Sequence, residues 1–425
     1  MDALPRLSAA EAAARLGVKP ATLYAYVSRG LLARERSAAG SSFDPLEIEA
    51  FARARRRDPS AATTRAPAQP GTPLMVLDTD IAQIDDDELY YRGRPAVALI
   101  DRPVEDIAVW LWGAEDRQPD SQPDAQAIAT ARALIAALPP GATELDRIHA
   151  AITGLAAADP LRYDATPESL RRAGALLLAG IPRALLPAGM HDDHGRDSGS
   201  DPDPDPDPDP DPDPAESVAA TLWRALGGTA TGAAGIRAVN AALVLLVDHD
   251  LAVSTLAARI AASARGSGYA VVTAALGAFD SPLHGNASRA AAALLADVVA
   301  GSAPDAALAR AVRDGGRGVP GFGHALYSGT DGRARALLPL IAELPGAAPI
   351  LAAVDAVSSE VLRRAGIHPN VDLALAALTL SAGLSADAGV AIFAVGRVVG
   401  WIAHALAEYE ERPLRLRPRG RYVGP

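Results

Sequence analysis

Three of the eight histidines in this chain sit in short polar words within an otherwise apolar C-terminal half. The words are Asp248-His249-Asp250, Pro282-Leu283-His284-Gly285 and Val319-Pro320-Gly321-Phe322-Gly323-His324, followed by Asn370-Val371-Asp372. Imidazole is the side chain best suited to proton transfer near neutral pH. A carboxylate working with positioned imidazoles can take a proton from carbon and stabilise the enolate oxygen that results. Singly, each word has a second reading. His249, after the apolar run Leu243–Val247, is either a satisfied core histidine or an imidazole aimed at an anion. His284 lies between a rigid and a flexible residue, where a ligand can approach closely. The glycine-rich run before His324 can cradle a phosphate or a carbonyl with backbone N–H groups. Asp372, at the entry to an apolar helix, is either a base or an N-cap.

The elements that must position these words are helices. The chain has 425 residues, 49% of them hydrophobic but only 4% aromatic, and the apolar mass is largely Ala, Leu and Val. That mix favours helix over sheet and supports a sizeable core. Residues 215–412 read as nearly all helix punctuated by Gly and Pro, and residues 74–185 as a short strand-like pattern around Leu74–Leu77 followed by helices. Between them lie seven Asp-Pro repeats, Asp201–Pro214. Proline removes the backbone donor and each Asp repels the next, so an extended, solvated spacer is expected. His191-Asp192-Asp193-His194 invites a metal reading, but in a segment too flexible to preorganise ligands, so no metal is expected. Ala388–Ala407 could imitate a membrane span. Arg397 and His404 interrupt it on one helical face, which marks a buried helix with a polar stripe and predicts no membrane contact.

Charge divides the chain. Residues 1–67 carry eleven Lys/Arg against seven Asp/Glu, a net +4 within a total of −11, and Lys19 is the only lysine. The basic segment could meet nucleic acid, whereas the acidic body would not. With no cysteine, disulfides and thiolate chemistry are excluded. Met1-Asp2 is followed by no apolar signal region, and a cytoplasmic location is expected.

Within the basic segment, Ser8 and Glu11 form a capping box for a helix over Ala9–Leu16, and Gly17 can end it. Pro20 opens a second helix with Leu23 and Val27 as its apolar face and Lys19, Thr22, Tyr26 and Arg29 available to bases or phosphates. The alternative is a helical hairpin used for docking or dimerisation. Arg53, Arg55, Arg56 and Arg57 are either phosphate contacts or a solvated helix end. The run from Ala14 to Leu32 resembles the MerR and excisionase type of winged helix-turn-helix.

From Leu77 to Pro425 the ordered words resemble the citrate synthase family. They begin with Ile84-Asp85, Leu89-Tyr90-Tyr91-Arg92-Gly93 and Val109-Trp110-Leu111-Trp112-Gly113. The histidine words and Asn370-Val371-Asp372 follow, and the series ends with Arg397 to His404 and Arg417 to Pro425. The resemblance implies a mainly α, two-domain homodimer preceded by a small winged helix-turn-helix domain. Its divisions would be a helix-turn-helix unit at 6–57 and a linker at 58–73. A large domain would span 74–286 and 382–425, with a disordered Asp-Pro insert at 188–214, and a small domain 287–381, the two closing over a cleft.

It further implies condensation of acetyl-CoA with oxaloacetate, with no cofactor. Asp372 would be the base, His284 the donor to the thioester oxygen and His324 the group polarising the keto acid. His249, Arg333, Arg397 and a partner-supplied Arg417 would hold oxaloacetate, and Val319, Pro320, Gly321, Phe322 and Gly323 would face CoA. Departures lie beside these residues. Ala252 stands where relatives carry asparagine, Asn286 and Arg289 alter the surroundings of His284, and Ala325, Leu326 and Ser328 are not basic where relatives often carry a basic residue. Propionyl-CoA as the acyl donor, a ligand-sensing DNA-binding regulator, and the reverse cleavage of citryl-CoA are the alternatives that remain.

Overall fold

The computed structural model describes residues 6–37, 40–57, 76–114, 122–187, 216–229, 232–315, 318–324 and 326–424. The linker 58–73, the Asp-Pro insert 188–214, His191–His194 and Ala325 lie outside the described residues.

The N-terminal segment runs β1 (Leu7–Ser8), α1 (Ala9–Leu16), α2 (Pro20–Ser28), β2 (Glu35–Ser37), β3 (Gly40–Phe43) and α3 (Pro45–Arg57). Its local signals act as their chemistry dictates. The Ser8 hydroxyl accepts from Glu11 N while the Glu11 carboxylate accepts from Ser8 N, and Gly17 closes α1 at φ +62°. The strand β3 pairs antiparallel with both β1 and β2, Leu7 opposite Phe43 and Arg36 opposite Ser41. Leu7, Ala12, Ala13, Leu16, Leu23, Leu32, Phe43 and Ile48 form a core of their own.

Three short strands follow, β4 (Ala82–Asp85), β5 (Glu88–Tyr91) and β6 (Arg94–Pro95), in spatial order β4-β5-β6. Of the strand expected around Leu74–Leu77, the described residues Val76 and Leu77 are not in a strand. Leu74 and Met75 lie outside the described residues, and Val76 is 81% exposed with no ladder partner to order it.

The remaining elements are helical, apart from a 3₁₀ turn at Ala96–Leu99. They are α4 (Val104–Leu111), α5 (Ala125–Ala136), α6 (Glu144–Ala158), α7 (Pro167–Leu185), α8 (Val218–Ala225), α9 (Ala233–Leu245), α10 (Val253–Ser263) and α11 (Gly268–Phe279), then α12 (Ala287–Val299), α13 (Pro304–Gly315), α14 (Gly332–Ile341), α15 (Ala347–Ala365), α16 (Val371–Ser381) and α17 (Ala388–Glu410).

The chain forms two compact units. The first holds the described residues of Met1–Asp78, Ile84–Glu88 and Asn286–Gly389; the second holds those of Thr79–Gln83, Leu89–Gly285 and Val390–Pro425. In the first, α16 is surrounded by α12, α14 and α15, and α3 packs on α13 and α15. In the second, α5, α6, α7 and α11 pack on one another and α10 pairs with α11. The helix α17 is long and apolar enough to cross a membrane, but 89% of its most apolar window is buried inside the protein. Gly400 lets it press directly on the end of α9: a Cβ there would lie 2.2 Å from the Val247 carbonyl oxygen. That approach carries Arg397 and His404 to Asp248.

Candidate functional site

In the second unit, His284 follows α11 on a tight turn, its N–H donating to Ser281 O. Its ring meets Phe279 and Phe393 edge-on at 5.1 and 5.8 Å between centroids. Nε2 lies 2.7 Å from Ser254 Oγ, at the start of α10, and Trp401 Nε1 on α17 donates to the same oxygen at 3.2 Å. Among the described residues His284 Nε2 is the one acceptor within reach of the Ser254 hydroxyl, so its proton points there. A neutral His284 therefore carries its proton on Nδ1. Burial pushes its pKa down to about 4, helped by the Arg397 charge, so the neutral ring is the form present near neutral pH.

Behind it lies a buried ionic group. Asp248 Oδ2 meets His404 Nε2 at 2.9 Å, and Oδ1 lies 3.7 Å from an Arg397 terminal nitrogen. The Arg397 guanidinium sits over the Phe393 ring at 4.9 Å. Tyr91 donates to Val244 O at 3.0 Å, tying β5 to the helix end that presents Asp248 and His249. His249 is buried. Arg417 belongs to the same unit and is exposed in the single chain, whereas His249 and Arg397 are buried.

In the first unit, residues 321–323 run beside residues 368–370 like a fragment of sheet. Asn370 N donates to Gly321 O at 3.0 Å, Gly323 N to His368 O at 2.8 Å, and Asn370 Nδ2 to Gly323 O at 3.0 Å. Asn370 also caps α16, its Oδ1 accepting from Asp372 N at 3.0 Å. The capping role open to Asp372 is thus filled by Asn370, and the Asp372 carboxyl is left for other work. Its Oδ1 is shut off from solvent without a hydrogen-bond partner among the described residues. Burial pushes the pKa up to about 7; Arg333 opposes the rise and Asp331 adds to it.

Arg333 is buried and gripped two-pronged by Asp331, at 3.0 and 2.7 Å. Asp331 also accepts from Arg333 N and Val371 N, joining the starts of α14 and α16. Burial disfavours the Asp331 charge, but the guanidinium and these donors outweigh it and hold the carboxyl below its usual range. The Tyr327 ring lies 5.7 Å from the Arg333 guanidinium and 5.1 Å from the His324 ring. Leu326 N donates to His324 Nδ1 at 3.1 Å, which places the proton of the neutral ring on Nε2. Burial, with Arg333 assisting, pushes its pKa down to about 4. The tip of the β4–β5 hairpin steadies the same loop: Asp87 accepts from Ser328 N, Ser328 Oγ and Gly329 N at 2.6, 2.5 and 2.8 Å.

The expected residues therefore fall into two sets. His249, His284 and Arg397 belong to the second unit; His324, Arg333 and Asp372 belong to the first. Chemically, the first offers a carboxylate that ionises near neutrality and an imidazole donating from Nε2. The second offers an imidazole donating from Nδ1 and a buried cation. Of the expected CoA-facing run, Val319, Gly321 and Phe322 are buried, because Phe322 bridges to both Val319 and Pro369. Pro320 and Gly323 are partly exposed, and an arginine of α3 lies against Gly323.

Ser254, Asp248, Asp331 and Asp87 are not marked as site residues by the sequence. Each acts through a partner distant in the chain, apart from Asp331, whose place two residues before Arg333 is a usable signal. Among the described residues, no cluster of three or more His, Asp and Glu could hold a metal.

The N-terminal face also differs from expectation. Lys19 and Arg29 are exposed and Thr22 is partly buried. Tyr26 is partly buried against Phe51 of α3, at 5.0 Å between rings, because α3 covers that flank of α2. The exposed tyrosine is Tyr24, with Arg34 over its ring. Arg55 donates to Leu16 O and stacks over Tyr26.

Residues 71–419 match the family profile described as citrate synthase, C-terminal domain. The chain is 36% identical over 186 residues to the citrate synthase of Haloferax volcanii, covering 43% of this chain and 49% of that protein. It is 34% identical over 195 residues to citrate synthase 2 of Bacillus subtilis, covering 45% and 51%. The match thus spans about half the length of these two relatives. With 2-methylcitrate synthase 2 of Corynebacterium glutamicum it shares 28% identity over 301 residues, covering 68% and 74%. Among solved structures, the ternary complex of carboxymethyl coenzyme A and oxaloacetate with citrate synthase from Thermoplasma acidophilum superposes with a TM-score of 0.65 at 24% identity. It covers 83% of this chain and 94% of that one, a likeness of fold.

Proposed function

The chain belongs to the citrate synthase family, and from that premise we propose that it condenses acetyl-CoA with oxaloacetate to give citrate and CoA. The observation that carries the reading is one carboxyl raised to about 7 together with two imidazoles kept neutral, each with its donor nitrogen fixed by a neighbour. Carbon acids are weak, so a base succeeds only where preorganised donors meet the charge on oxygen.

Ionised Asp372 takes a proton from the acyl methyl group while His284 Nδ1–H donates to the thioester oxygen, giving an enol. The enol carbon adds to the keto carbon of oxaloacetate as the enol proton returns to His284 Nδ1, and His324 Nε2–H donates to the alkoxide that forms. Water then cleaves the citryl thioester, releasing the CoA thiol and the third carboxylate. His249, Arg333 and Arg397 hold the keto acid's carboxylates, joined by Arg417 of a second copy in a homodimer. No cofactor beyond the substrates takes part. In this reading residues 74–286 with 382–425 are the large domain and 287–381 the small one.

The test is mass spectrometry of the products from acetyl-CoA and oxaloacetate. Citrate is expected; acetate alone would mean thioester hydrolysis and end the proposal. Propionyl-CoA is the second reading, favoured by the likeness to a 2-methylcitrate synthase over a larger share of the chain. One methylene changes acyl-pocket affinity by only about 1–3 kcal/mol, so both acyl donors belong in the same experiment.

For residues 6–57 the reading is a MerR-type helix-turn-helix that contacts DNA through Lys19, Thr22 and Arg29, with Tyr24 replacing Tyr26. The helix, Gly17 turn, second helix and β2–β3 hairpin support it. Salt-dependent retardation of DNA that shifts with added oxaloacetate is expected of a ligand-sensing regulator. Its absence at low salt would remove the DNA reading.

A further inference from the structure

Gly323 sits at φ +77°, and the space where a side chain would stand is filled from outside the loop. A Cβ built there would lie 2.6 Å from a terminal nitrogen of Arg53 and 3.8 Å from its guanidinium carbon, with Ile367 at 3.0 Å. The guanidinium of α3 thus rests on the backbone of the loop that precedes His324. It is held there by its whole helix. α3 packs on α13 and α15, Asp44 is ion-paired with Arg364, and Arg15 donates to Arg313 O at 2.7 Å.

The loop itself has no cation to offer. From Val319 to Thr330 there is no Arg or Lys, and the next one, Arg333, is already assigned to the keto acid in the proposed reading. His324 is neutral at the pH where the base is ionised. A CoA thioester brings a pyrophosphate and a ribose phosphate, and the chain outside its basic segment is acidic. A phosphate arriving at this loop needs a cation from elsewhere, and a guanidinium fork is the matching group.

We infer that Arg53, delivered by the N-terminal segment, is a phosphate-binding residue of the acyl-CoA site. The inference rests on the proposed reading of that site as one for acyl-CoA. It makes the N-terminal segment a structural part of the acyl-CoA site, so that lifting α3 from α13 and α15 would weaken CoA binding without touching any residue of the C-terminal body.

The test is calorimetric titration of the full chain with CoA, for wild type, Arg53→Gln and Arg53→Lys, with equal unfolding midpoints as the check on folding. Loss of a charge-assisted contact should weaken CoA roughly 10- to 100-fold in Arg53→Gln, and Arg53→Lys should recover part of it. Pantetheine, which lacks the phosphates, should bind wild type and Arg53→Gln alike. Unchanged CoA affinity in Arg53→Gln, or an equal loss for pantetheine, would overturn the inference.

Binding is measured without turnover, which separates it from the proposed activity. A wild type that binds CoA through Arg53 but forms no citrate removes the activity and keeps the inference. A condensing wild type with unaltered CoA affinity in Arg53→Gln does the reverse. A wild type that does not bind CoA overturns both.

Discussion

Replacing Asp372 with asparagine should abolish most activity and, at alkaline pH, stabilise the protein. The carboxyl is raised from an ordinary 3.8 to about 7, chiefly by burial, and its Oδ1 has no hydrogen-bond partner among the described residues. A shift of that size corresponds to at most about 4 kcal/mol. The side chain keeps some exposure, so solvent reduces the expected figure to about 1–2 kcal/mol.

The folded-state pKa lies above the unfolded one. Between about pH 4 and 7 the folded chain therefore keeps a proton that the unfolded chain has lost, and stability falls as pH rises through that window. A carboxamide at this position cannot ionise, so the variant escapes the fall. Asn370 does the capping through its own side chain, accepting from the backbone N–H of residue 372, so the start of α16 is undisturbed. Denaturant unfolding at about pH 8 should show Asp372→Asn more stable than wild type by about 1–2 kcal/mol, with the gap closing towards about pH 4. Turnover should fall on the order of 10²–10⁴-fold. A variant less stable than wild type at alkaline pH, or a gain that does not change with pH, would refute the argument that this acid is held ionised against its surroundings.

Three further outcomes follow from the same geometry. The kcat/KM of wild type should fall on the acid side as pH drops through about 7, with no second limb from His284 or His324 until about 4. Ser254→Ala should reduce kcat roughly 10- to 100-fold and destabilise the fold by about 1–3 kcal/mol, because Trp401 loses its acceptor and His284 the donor to Nε2; nitrogen-15 shifts of the ring should change from a single Nδ1–H form to a mixture. Gly400→Ala should cost at least about 1–3 kcal/mol in chemical unfolding, since the added carbon meets the Val247 carbonyl, which is backbone and cannot swing aside.

Features encoded locally are legible in the sequence. The Ser8/Glu11 box, the Gly17 terminus and Pro20 define α1 and α2 because caps act within four residues. Arg397 and His404, spaced two helical turns apart, identify α17 as buried, and both reach Asp248.

Features set by tertiary partners are not. Nothing around Ser254 signals that it orients an imidazole thirty positions away. Tyr26 stands beside the Leu23–Val27 stripe, and only the docking of α3 decides that it, rather than Tyr24, is covered. Asp372 reads equally well as a cap, and only the fold shows Asn370 holding that place. The first strand among the described residues after α3 is Ala82–Asp85, which forms where a neighbouring strand can pair with it.

The most direct test of the account is thiol release from acetyl-CoA, with and without oxaloacetate, by wild type and Asp372→Asn side by side; the chain has no cysteine to add background. The account predicts oxaloacetate-dependent release by wild type, reduced on the order of 10²–10⁴-fold in the variant. No release by folded wild-type protein, or equal release by the two, would contradict it.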